Sequence, residues 1–521
     1  VTQPDLAPTP YYDPETQAAR MLVMELSNGL DRRIGDVLRL QRYYDGHQPL
    51  KFATVEYRKH FGRQYSGFHD NWCAPVVDTT AEKLTVAGLR LGDARDTLDD
   101  ASGSDIARTA DRDFARIWNA NDGAQESSQA FIEACIARRS FALVWGNGDD
   151  EQTPEITFES PDEVIVGYEP GSRRKRKAAL KRWTDGDCDF ATLYLPDALW
   201  KWQRRRPQSS KKLWTPDEVD RYAWLIRDMP GGAPARIPNP SGVVPMVELA
   251  NRPRLRSEPL SEVEGAAAMQ DAINALWSYL FTAADFAAMP QRVLLGATAP
   301  KIPVLDADGK PTGAMKDVPV NEWLKPAAMS RMMSFEGDAK IAQWDPSNLE
   351  TFTKAIEFAV GHLAAQSRTP AHYFTGNIQN ISADGLTGLA QAHISKVRER
   401  AVYHSLAIKE IAAVSYLMLG DRPKAAAARA GRVMWEDFEL RSEGQMADLA
   451  IKMRQSGFSF EYVAQKFIAD PVELAEEIER HNIEEAAKAA AMEFGPKTDQ
   501  MPSPDEQQGD GPAEDDPYAG S

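Results

Sequence analysis

The run from Asp345 to Leu419, DPSNLETFTKAIEFAVGHLAAQSRTPAHYFTGNIQNISADGLTGLAQAHISKVRERAVYHSLAIKEIAAVSYLML, reads as two long helices joined by an unusually long connection. Pro346 stands in a first turn, and Ser347 with Glu350 three residues on has the form of a capping box, in which each side chain satisfies an orphaned backbone N–H. Behind that start, Leu349, Phe352, Ile356, Val360 and Leu363 recur at helical spacing, so one apolar face must be buried. The helix stops near Thr369-Pro370. A second helix opens near Ser382, carries Leu386, Leu389, His393, Val397, Ile408 and Ile411, and ends at Gly420. Between them lie residues 368–381. Helix-to-helix connections take about 2 to 8 residues, so one of roughly 14 does more than turn the chain.

The 521 residues allow about two to four domains, and the 43% hydrophobic and 26% charged fractions are those of an ordinary soluble protein. A net charge of -17 argues against wholesale coating of nucleic acid or of an anionic membrane, and leaves local basic patches free to act. No signal-peptide pattern stands at Val1 and no apolar run reaches bilayer length, which points to a protein made in a cytoplasm with no membrane role. Cys73, Cys135 and Cys188 are widely spaced and odd in number; they fit a reducing compartment and read as buried small hydrophobes.

Residues 1–14 are Pro-rich and read as a flexible arm. From Glu15 to Tyr44 an apolar face includes Leu22, Leu26, Leu30, Ile34 and Val37, with a break or bend expected at Asn28-Gly29. Tyr43-Tyr44-Asp45-Gly46 then reads as a helix C-terminus packed by aromatics. Helices are expected through Val76 to Leu84, Asp111 to Trp118 and Phe131 to Ile136. Strands are expected at Val86 to Leu91, Phe141 to Trp145, Glu155 to Phe158, Glu163 to Tyr168, Ala178 to Trp183, Phe190 to Leu195, Ala198 to Gln203, Tyr222 to Asp228 and Val243 to Leu249. Gly146-Asn147-Gly148 reads as a hairpin turn, since no third Gly and no helix follow to cradle a phosphate. The region is α+β with a mostly antiparallel sheet.

Two basic clusters punctuate that sheet, Arg173 to Lys177 with Lys181 and Arg182, and Lys201 with Arg204, Arg205, Arg206, Lys211 and Lys212. Trp183, Trp200, Trp202 and Trp214 lie beside them. Interleaved cations and aromatics bind nucleic acid by phosphate contact and stacking, whereas cations at hairpin edges also serve to prevent sheet-to-sheet aggregation. The position of these at loops and strand ends favours the second role.

A helix from Ser257 to Ala288 follows, roughly 48 Å long at 1.5 Å per residue. Its many alanines allow close approach of another helix, and its length suits packing between subunits or along a stalk. Residues 289–344 read as a small α/β insertion between the end of this helix and the start of the next. Within it Asp306, Asp308 and Gly309 faintly suggest a calcium loop, but Pro311 stands where Gly is needed and Asp317 where Glu is, so a β-turn is the better reading. After Gly420 come an Ala-rich basic stretch, a strand at Val433 to Phe438 and short helices up to Met492. The acidic tail beyond Phe494 has a disordered composition.

Signatures of catalysis are missing from the sequence. There is no G-x-x-x-x-G-K-[ST], no H-E-x-x-H, no clustered His and Cys, and no G-x-S-x-G. His362, His372, His393 and His404 are crowded in sequence, yet polar-surface or hydrogen-bonded roles suit them better than metal binding. No catalytic residue, metal ligand or cofactor is assigned, and a nucleic-acid-processing enzyme using the basic sheet is the weaker alternative.

The order of parts, helix 257–288, insertion 289–344, helix 345–367, connection 368–381, helix 382–419 and a helical C-terminal region, resembles the portal proteins of tailed bacteriophages, particularly the branch found in phages of actinobacteria. Tyr43-Tyr44-Asp45-Gly46-His47-Gln48-Pro49-Leu50, Met269-Gln270-Asp271-Ala272-Ile273-Asn274, Ala288-Met289-Pro290-Gln291-Arg292 and Ser382-Ala383-Asp384-Gly385 are similar to that branch's wording. The resemblance implies a mainly helical α+β portal-type fold. In it, 15–256 and 382–419 form a wing, 257–288 and 345–367 a stem, 289–344 a clip, 368–381 a tunnel loop, 420–494 a crown and 495–521 an acidic tail. It further implies a non-enzymatic ring, usually of twelve subunits, at one capsid vertex of the virion, assembled in the host cytoplasm. Through that ring a terminase pumps double-stranded DNA, which later leaves toward the tail.

Implied partners are like subunits, the terminase large subunit, a head-to-tail adaptor, the major capsid and scaffold proteins, and the passing DNA. Arg368, His372, Gly376, Asn377, Gln379 and Asn380 would face the channel, and Ala268, Ala272, Ile273, Leu276, Phe352 and Ile356 would meet a neighbour along the stem. Another structural ring of the virion, such as an adaptor, is the remaining alternative, and its small usual size fits 521 residues poorly.

Overall fold

The computed structural model describes residues 12–52, 55, 59, 68–90, 101–206, 223–288, 292–295, 301–306, 308–317, 340–343, 348–375, 383–439, 443–468 and 471–494. They belong to two compact units, residues 1–440 and 441–521.

The first unit opens with α1 (Pro14–Tyr44), where Asp13 caps the helix by accepting from the Thr16 N–H at 2.9 Å. There follow α2 (Cys73–Ala81), β1 (Val86–Arg90), α3 (Ala101–Ala120) and α4 (Gly123–Ala137). The strands β2 (Arg139–Trp145), β3 (Glu155–Glu159), β4 (Val164–Tyr168), β5 (Arg176–Asp185), β6 (Cys188–Tyr194), β7 (Ala198–Arg205), β8 (Leu225–Ile226), β9 (Arg236–Pro238) and β10 (Met246–Ala250) come next. They form two antiparallel sheets, one ordered β10-β2-β3 and one ordered β4-β5-β6-β7-β8 with β9 also on β7.

The bend expected at Asn28-Gly29 is absent, and α1 runs through it unbroken. Gly29 provides clearance instead. A Cβ there would lie 3.0 Å from the Ile165 Cδ1, and one on Gly167 would lie 3.1 Å from the Leu26 Cδ2, so these two glycines let α1 lie directly on β4. Val23 and Leu26 of α1 thereby bury Leu180, Leu193, Trp200 and Trp202 of the larger sheet.

The long Ala-rich helix is α5 (Glu262–Ala288). It begins five residues later than its composition suggests, because Asn251 closes residues 252–259 into a loop: its Nδ2 donates to the Leu260 carbonyl at 2.9 Å and its own carbonyl accepts from the Leu260 N–H at 3.2 Å. Beyond α5, β11 (Arg292–Leu295) pairs with β14 (Lys340–Gln343), and β12 (Lys301–Leu305) pairs with β13 (Pro311–Asp317). The first pairing brings the two ends of the insertion together. At the tip of the β12–β13 hairpin, Asp306 Oδ1 accepts from the N–H groups of Asp308 and Lys310 at 3.0 and 2.8 Å, which makes the Asp-rich run a turn.

Helix α6 (Leu349–Ser367) returns along α5. Asn348, rather than Ser347, caps it by accepting from the Glu350 N–H at 3.0 Å. Val263, Ile273 and Leu280 of α5 and Ile356, Val360 and Leu363 of α6 share a core with Val76 and Val77 of α2. A further short helix, α7 (Ala371–Thr375), stands inside the expected connection, with the Phe374 ring 5.5 Å from Trp72, edge on. The connection is therefore shorter than its sequence implies, residues 376–382 between α7 and α8 (Ala383–Met418).

After α8, helix α9 (Arg422–Ala430) packs Ala425 and Ala428 into the α8 core, and β15 (Arg432–Trp435) pairs with β1. Residues 422–435, grouped with the crown by sequence, thus join the first unit. The second unit consists of α10 (Glu443–Gln455), α11 (Phe460–Phe467) and α12 (Pro471–Phe494), with Phe460 stacked on His481 at 3.9 Å. Among the described residues no helix is long and apolar enough to cross a membrane.

Candidate functional site

Two polar networks fasten the paired helices α5 and α6 to the rest of the first unit. The first joins the two sequence signatures at 43–50 and 269–274. Asp271 projects from α5 into the core, where the Tyr43 hydroxyl donates to its carboxylate at 2.8 and 2.9 Å and the Lys51 ammonium stands 3.1 Å away. Gln48 donates to the Tyr43 carbonyl at 2.7 Å and accepts from Asn274 Nδ2 at 3.0 Å. Gln270 Oε1 accepts from the Trp72 N–H at 2.7 Å, and Asp70 accepts from the indoles of both Trp72 and Trp277, at 2.8 and 2.7 Å. Burial pushes the Tyr43 phenol up, and its hydroxyl holds the Lys51 ammonium above its ordinary range. The aromatic C-terminus of α1 is a joint as well as packing.

The second network lies at the start of α5. Ser261 Oγ accepts from the Val263 N–H at 3.0 Å and donates to the Ile136 carbonyl at 2.6 Å. Glu262, in the first turn where a helix favours negative charge, is buried between two cations of α8. Arg400 Nε lies 2.7 Å from Glu262 Oε1 and Lys396 Nζ 3.2 Å from Oε2, while Asn251 Nδ2 adds a bond of 3.1 Å. Burial alone would raise the Glu262 carboxyl, but Lys396 and Arg400 hold it down at about 2.

Arg400 also reaches a second carboxylate, Glu399 Oε2, at 2.8 Å. With two acidic partners its guanidinium is held above its ordinary value against the cost of burial. Lys396 has only its share of Glu262, so burial wins and its ammonium is pushed down.

The outer end of this network is Arg368. Its Nη2 stands 3.1 Å from the same Glu399 Oε2 that Arg400 uses. Arg368 ends α6 in a left-handed conformation, φ 55°, a place usually given to Gly. The charge sequence Glu262, Arg400, Glu399, Arg368 therefore runs from the buried base of α5 to the first residue after α6. One turn further along α8, His404 is wholly buried beside Phe131, and burial together with Arg400 pushes its imidazole down to about 3, so it is neutral. His393 is also buried, its Nε2 2.9 Å from the Thr79 carbonyl. His393 thus has the hydrogen-bonded role expected of it, while His404 is buried against an aromatic ring.

The sequence-assigned channel residues divide. Arg368 is engaged by Glu399, and His372 lies in α7 with its ring against Tyr373 at 4.6 Å. Gly376, Asn377, Gln379 and Asn380 lie outside the described residues. The sequence-assigned stem contacts divide too: Ile273 and Ile356 are covered by this same chain, Ala272, Leu276 and Phe352 are half-buried, and Ala268 is exposed. The apolar stripe is thus used mainly to hold α5 against α6 and α2.

The basic sheet carries little of what a nucleic-acid platform requires. Trp200 and Trp202 are buried, the Trp183 ring stacks on Phe190 at 5.9 Å, and Trp214 lies outside the described residues. Arg176 pairs with Glu410, Lys181 with Glu159, Arg182 with Asp31 and Arg204 with Asp189. Bases would have few free faces to stack on. Burial pushes the thiols of Cys73 and Cys135 up to about 12, which suits small core residues. Among the described residues no group of His, Cys, Asp and Glu is gathered to hold a metal.

Two long paired helices, a strand-paired insertion between them and buried polar networks that tie α5 to α1 and α8 define the architecture. The chain belongs to the phage portal protein family, SPP1 Gp6-like, whose model matches residues 24–489. It is 25% identical over 398 residues to the portal protein of Mycobacterium phage L5, covering 73% of this chain and 71% of that one. To the portal protein of Mycobacterium phage D29 it is 25% identical over 435 residues, covering 80% of this chain and 79% of that one. Among solved structures, a chain from the neck of an empty gene transfer agent particle aligns with a TM-score of 0.42 at 13% identity, covering 81% of this chain and 90% of that chain.

Proposed function

We propose that this portal protein forms a closed ring of like subunits, twelve in the virion, at one vertex of the capsid. Double-stranded DNA is driven through its channel by a terminase and later leaves toward the tail. The observation that supports this reading best is the firm hold on the chain immediately before residues 376–382. Just before that segment Arg368 is tied to Glu399 and Phe374 is set in the core shared by α5 and α6, and α8, which follows it, is fixed further along its length by Lys396 and Arg400. A segment so held in every subunit of a ring makes a collar, in which Gly376, Asn377, Gln379 and Asn380 are polar and uncharged and let a polyanion slide. Ala268, Ala272, Leu276 and Phe352 meet the adjacent stem. The hairpin β12–β13, with Ile302, Leu305 and Met315 exposed, offers apolar surface to partners at the clip end, where the terminase large subunit and then the head-to-tail adaptor dock. Wing and crown meet the major capsid and scaffold proteins during assembly in the host cytoplasm.

Electron microscopy of the purified chain, alone and with capsid and scaffold proteins, tests the reading. Rings with a central channel are expected. A monodisperse monomer under every condition overturns it.

A further inference from the structure

Two neighbouring loops of the wing carry a concentration of positive charge at odds with a chain of net charge -17. The β4–β5 hairpin presents Arg173, Arg174 and Lys175, and the loop after β10 presents Arg252, Arg254 and Arg256. Arg173 Nη2 donates to the Arg254 carbonyl at 3.0 Å and so joins the loops. Among the described residues none of these six cations has a carboxylate partner, whereas Arg176 next to them is taken by Glu410. The second loop is built rigidly. Buried Asn251 closes its base, Arg254 Nε donates to the Glu258 carbonyl at 2.9 Å, and Arg252 holds a left-handed φ of 49°. At its tip Leu255, between two arginines, is 81% exposed.

The β10-β2-β3 sheet relates this platform to its charge complement. Ala250 pairs with Arg139 and Met246 with Leu143, so the basic loop leaves one end of the sheet and the β2–β3 hairpin leaves the other, roughly 20 Å away along β2. That hairpin exposes Asp149, Asp150, Glu151 and Glu155, and nearby Arg116 bonds the Thr153 hydroxyl and the Gln152 carbonyl.

We propose that the basic platform of one subunit docks on the acidic β2–β3 hairpin of the adjacent copy of this chain, so that one rigid sheet carries both halves of a head-to-tail contact. The inference rests on the ring reading above and names the surface that closes the ring. A closed ring needs two different, complementary patches on each subunit. Strongly acidic chains repel one another, and a local match of opposite charge offsets that while fixing the register. Leu255 favours a protein partner over a phosphate backbone, because an exposed apolar tip among arginines gains by burial in a protein interface and gains nothing against phosphate.

Full-length chains test the pairing by charge reversal, with ring formation read by sedimentation velocity and negative-stain microscopy at about 150 mM salt. Arg174→Glu, Arg254→Glu and Arg256→Glu together, or Asp149→Lys, Asp150→Lys and Glu151→Lys together, should each raise the concentration needed for rings about 10-fold or more. Mixing the two reversed chains should restore rings to within about 3-fold of wild type, since each supplies the charge the other lacks. The milder pair Arg254→Gln and Arg256→Gln, which disturbs folding least, should raise that concentration by about 3-fold.

Rings at the wild-type concentration in either reversed chain or in the milder pair, or no rescue on mixing, overturn the proposal. Unchanged assembly with weakened retention of a DNA duplex in a mobility-shift assay also overturns it, and reassigns the platform to phosphate. Failure of the wild-type chain to form rings defeats the ring reading itself, and this one with it.

Discussion

Glu399 accepts from Arg368 at 3.1 Å and from Arg400 at 2.8 Å through the same carboxylate oxygen, and so couples the residue that ends α6 to the buried base of α5. Arg368 and Glu399 are both more than a third exposed, so solvent screens this outer pair and it adds about 0.2–1 kcal/mol to stability. Its value lies in position. The substitution Glu399→Gln also removes the second counter-charge of buried Arg400 while keeping an accepting oxygen, so it should cost about 1–3 kcal/mol and leave ring assembly intact. It should lower DNA packaged or retained per particle by loosening the turn from α6 into α7 that leads to the loop. Packaging at the wild-type level in a fully assembled Glu399→Gln particle would show that the link does not set the loop.

The inner pair behaves differently. Replacing Glu262 by Gln leaves Lys396 and part of Arg400 charged and buried with no counter-charge, at a cost of about 3–5 kcal/mol by denaturant titration. Lys396→Met should cost less than about 1 kcal/mol or stabilise, because burial already disfavours this ammonium and Arg400 still pairs Glu262. Equal destabilisation by the two changes would contradict the unequal sharing of Glu262 described above.

That pairing also sets a pH dependence. Glu262 has a folded value of about 2 against an ordinary 4.5, so its contribution is fully present above 4.5 and is lost as pH falls toward 2. The shift corresponds to about 3 kcal/mol at neutral pH. Acid unfolding followed by circular dichroism should therefore steepen between those two values in the wild type, and the slope there should flatten in Glu262→Gln.

Much of this architecture is written locally. The stem helices are legible because apolar residues recur every three or four positions from Leu349 to Leu363, and the antiparallel sheets because β-branched and aromatic runs alternate with turn residues. What sequence conceals is the use of polar residues inside the fold. His393, Lys396, Arg400 and His404 share one face of α8 and look like a solvated stripe; they are buried because Glu262, 138 residues from Arg400, enters opposite them. Gly29 reads as a helix breaker until β4 is seen against it, and α7 hides in a connection whose local signs are Pro370 and the aromatic pair Tyr373-Phe374 in a polar run. The tie between the segments at 43–50 and 269–274 is a long-range fact of the same kind, visible only as two unexplained polar signatures.

The first of those signatures gives a further test. The Tyr43 hydroxyl is buried and holds Asp271 with two short contacts, so Tyr43→Phe removes the donor and leaves the carboxylate to Lys51 alone. A loss of about 1–3 kcal/mol is expected in chemical denaturation, with the change confined to stability. If Tyr43→Phe also abolished rings in a chain whose melting is otherwise normal, the joint would have to contact a neighbour rather than hold α5.

The proposed collar begins after Thr375, where the described core ends. Phe374 is 8% exposed and packs in the stem core, so Phe374→Ala should cost about 3–5 kcal/mol and depress soluble yield. Deleting residues 376–380 removes none of the described core and shortens only the segment between α7 and α8. Rings should therefore form and melt as wild type does, while on the collar reading the DNA retained per particle, measured by quantitative PCR after nuclease treatment, should fall by about 10-fold or more. Misfolding of the deletion would place residues 376–380 in the core beside Phe374, and full retention of DNA would remove them from the channel.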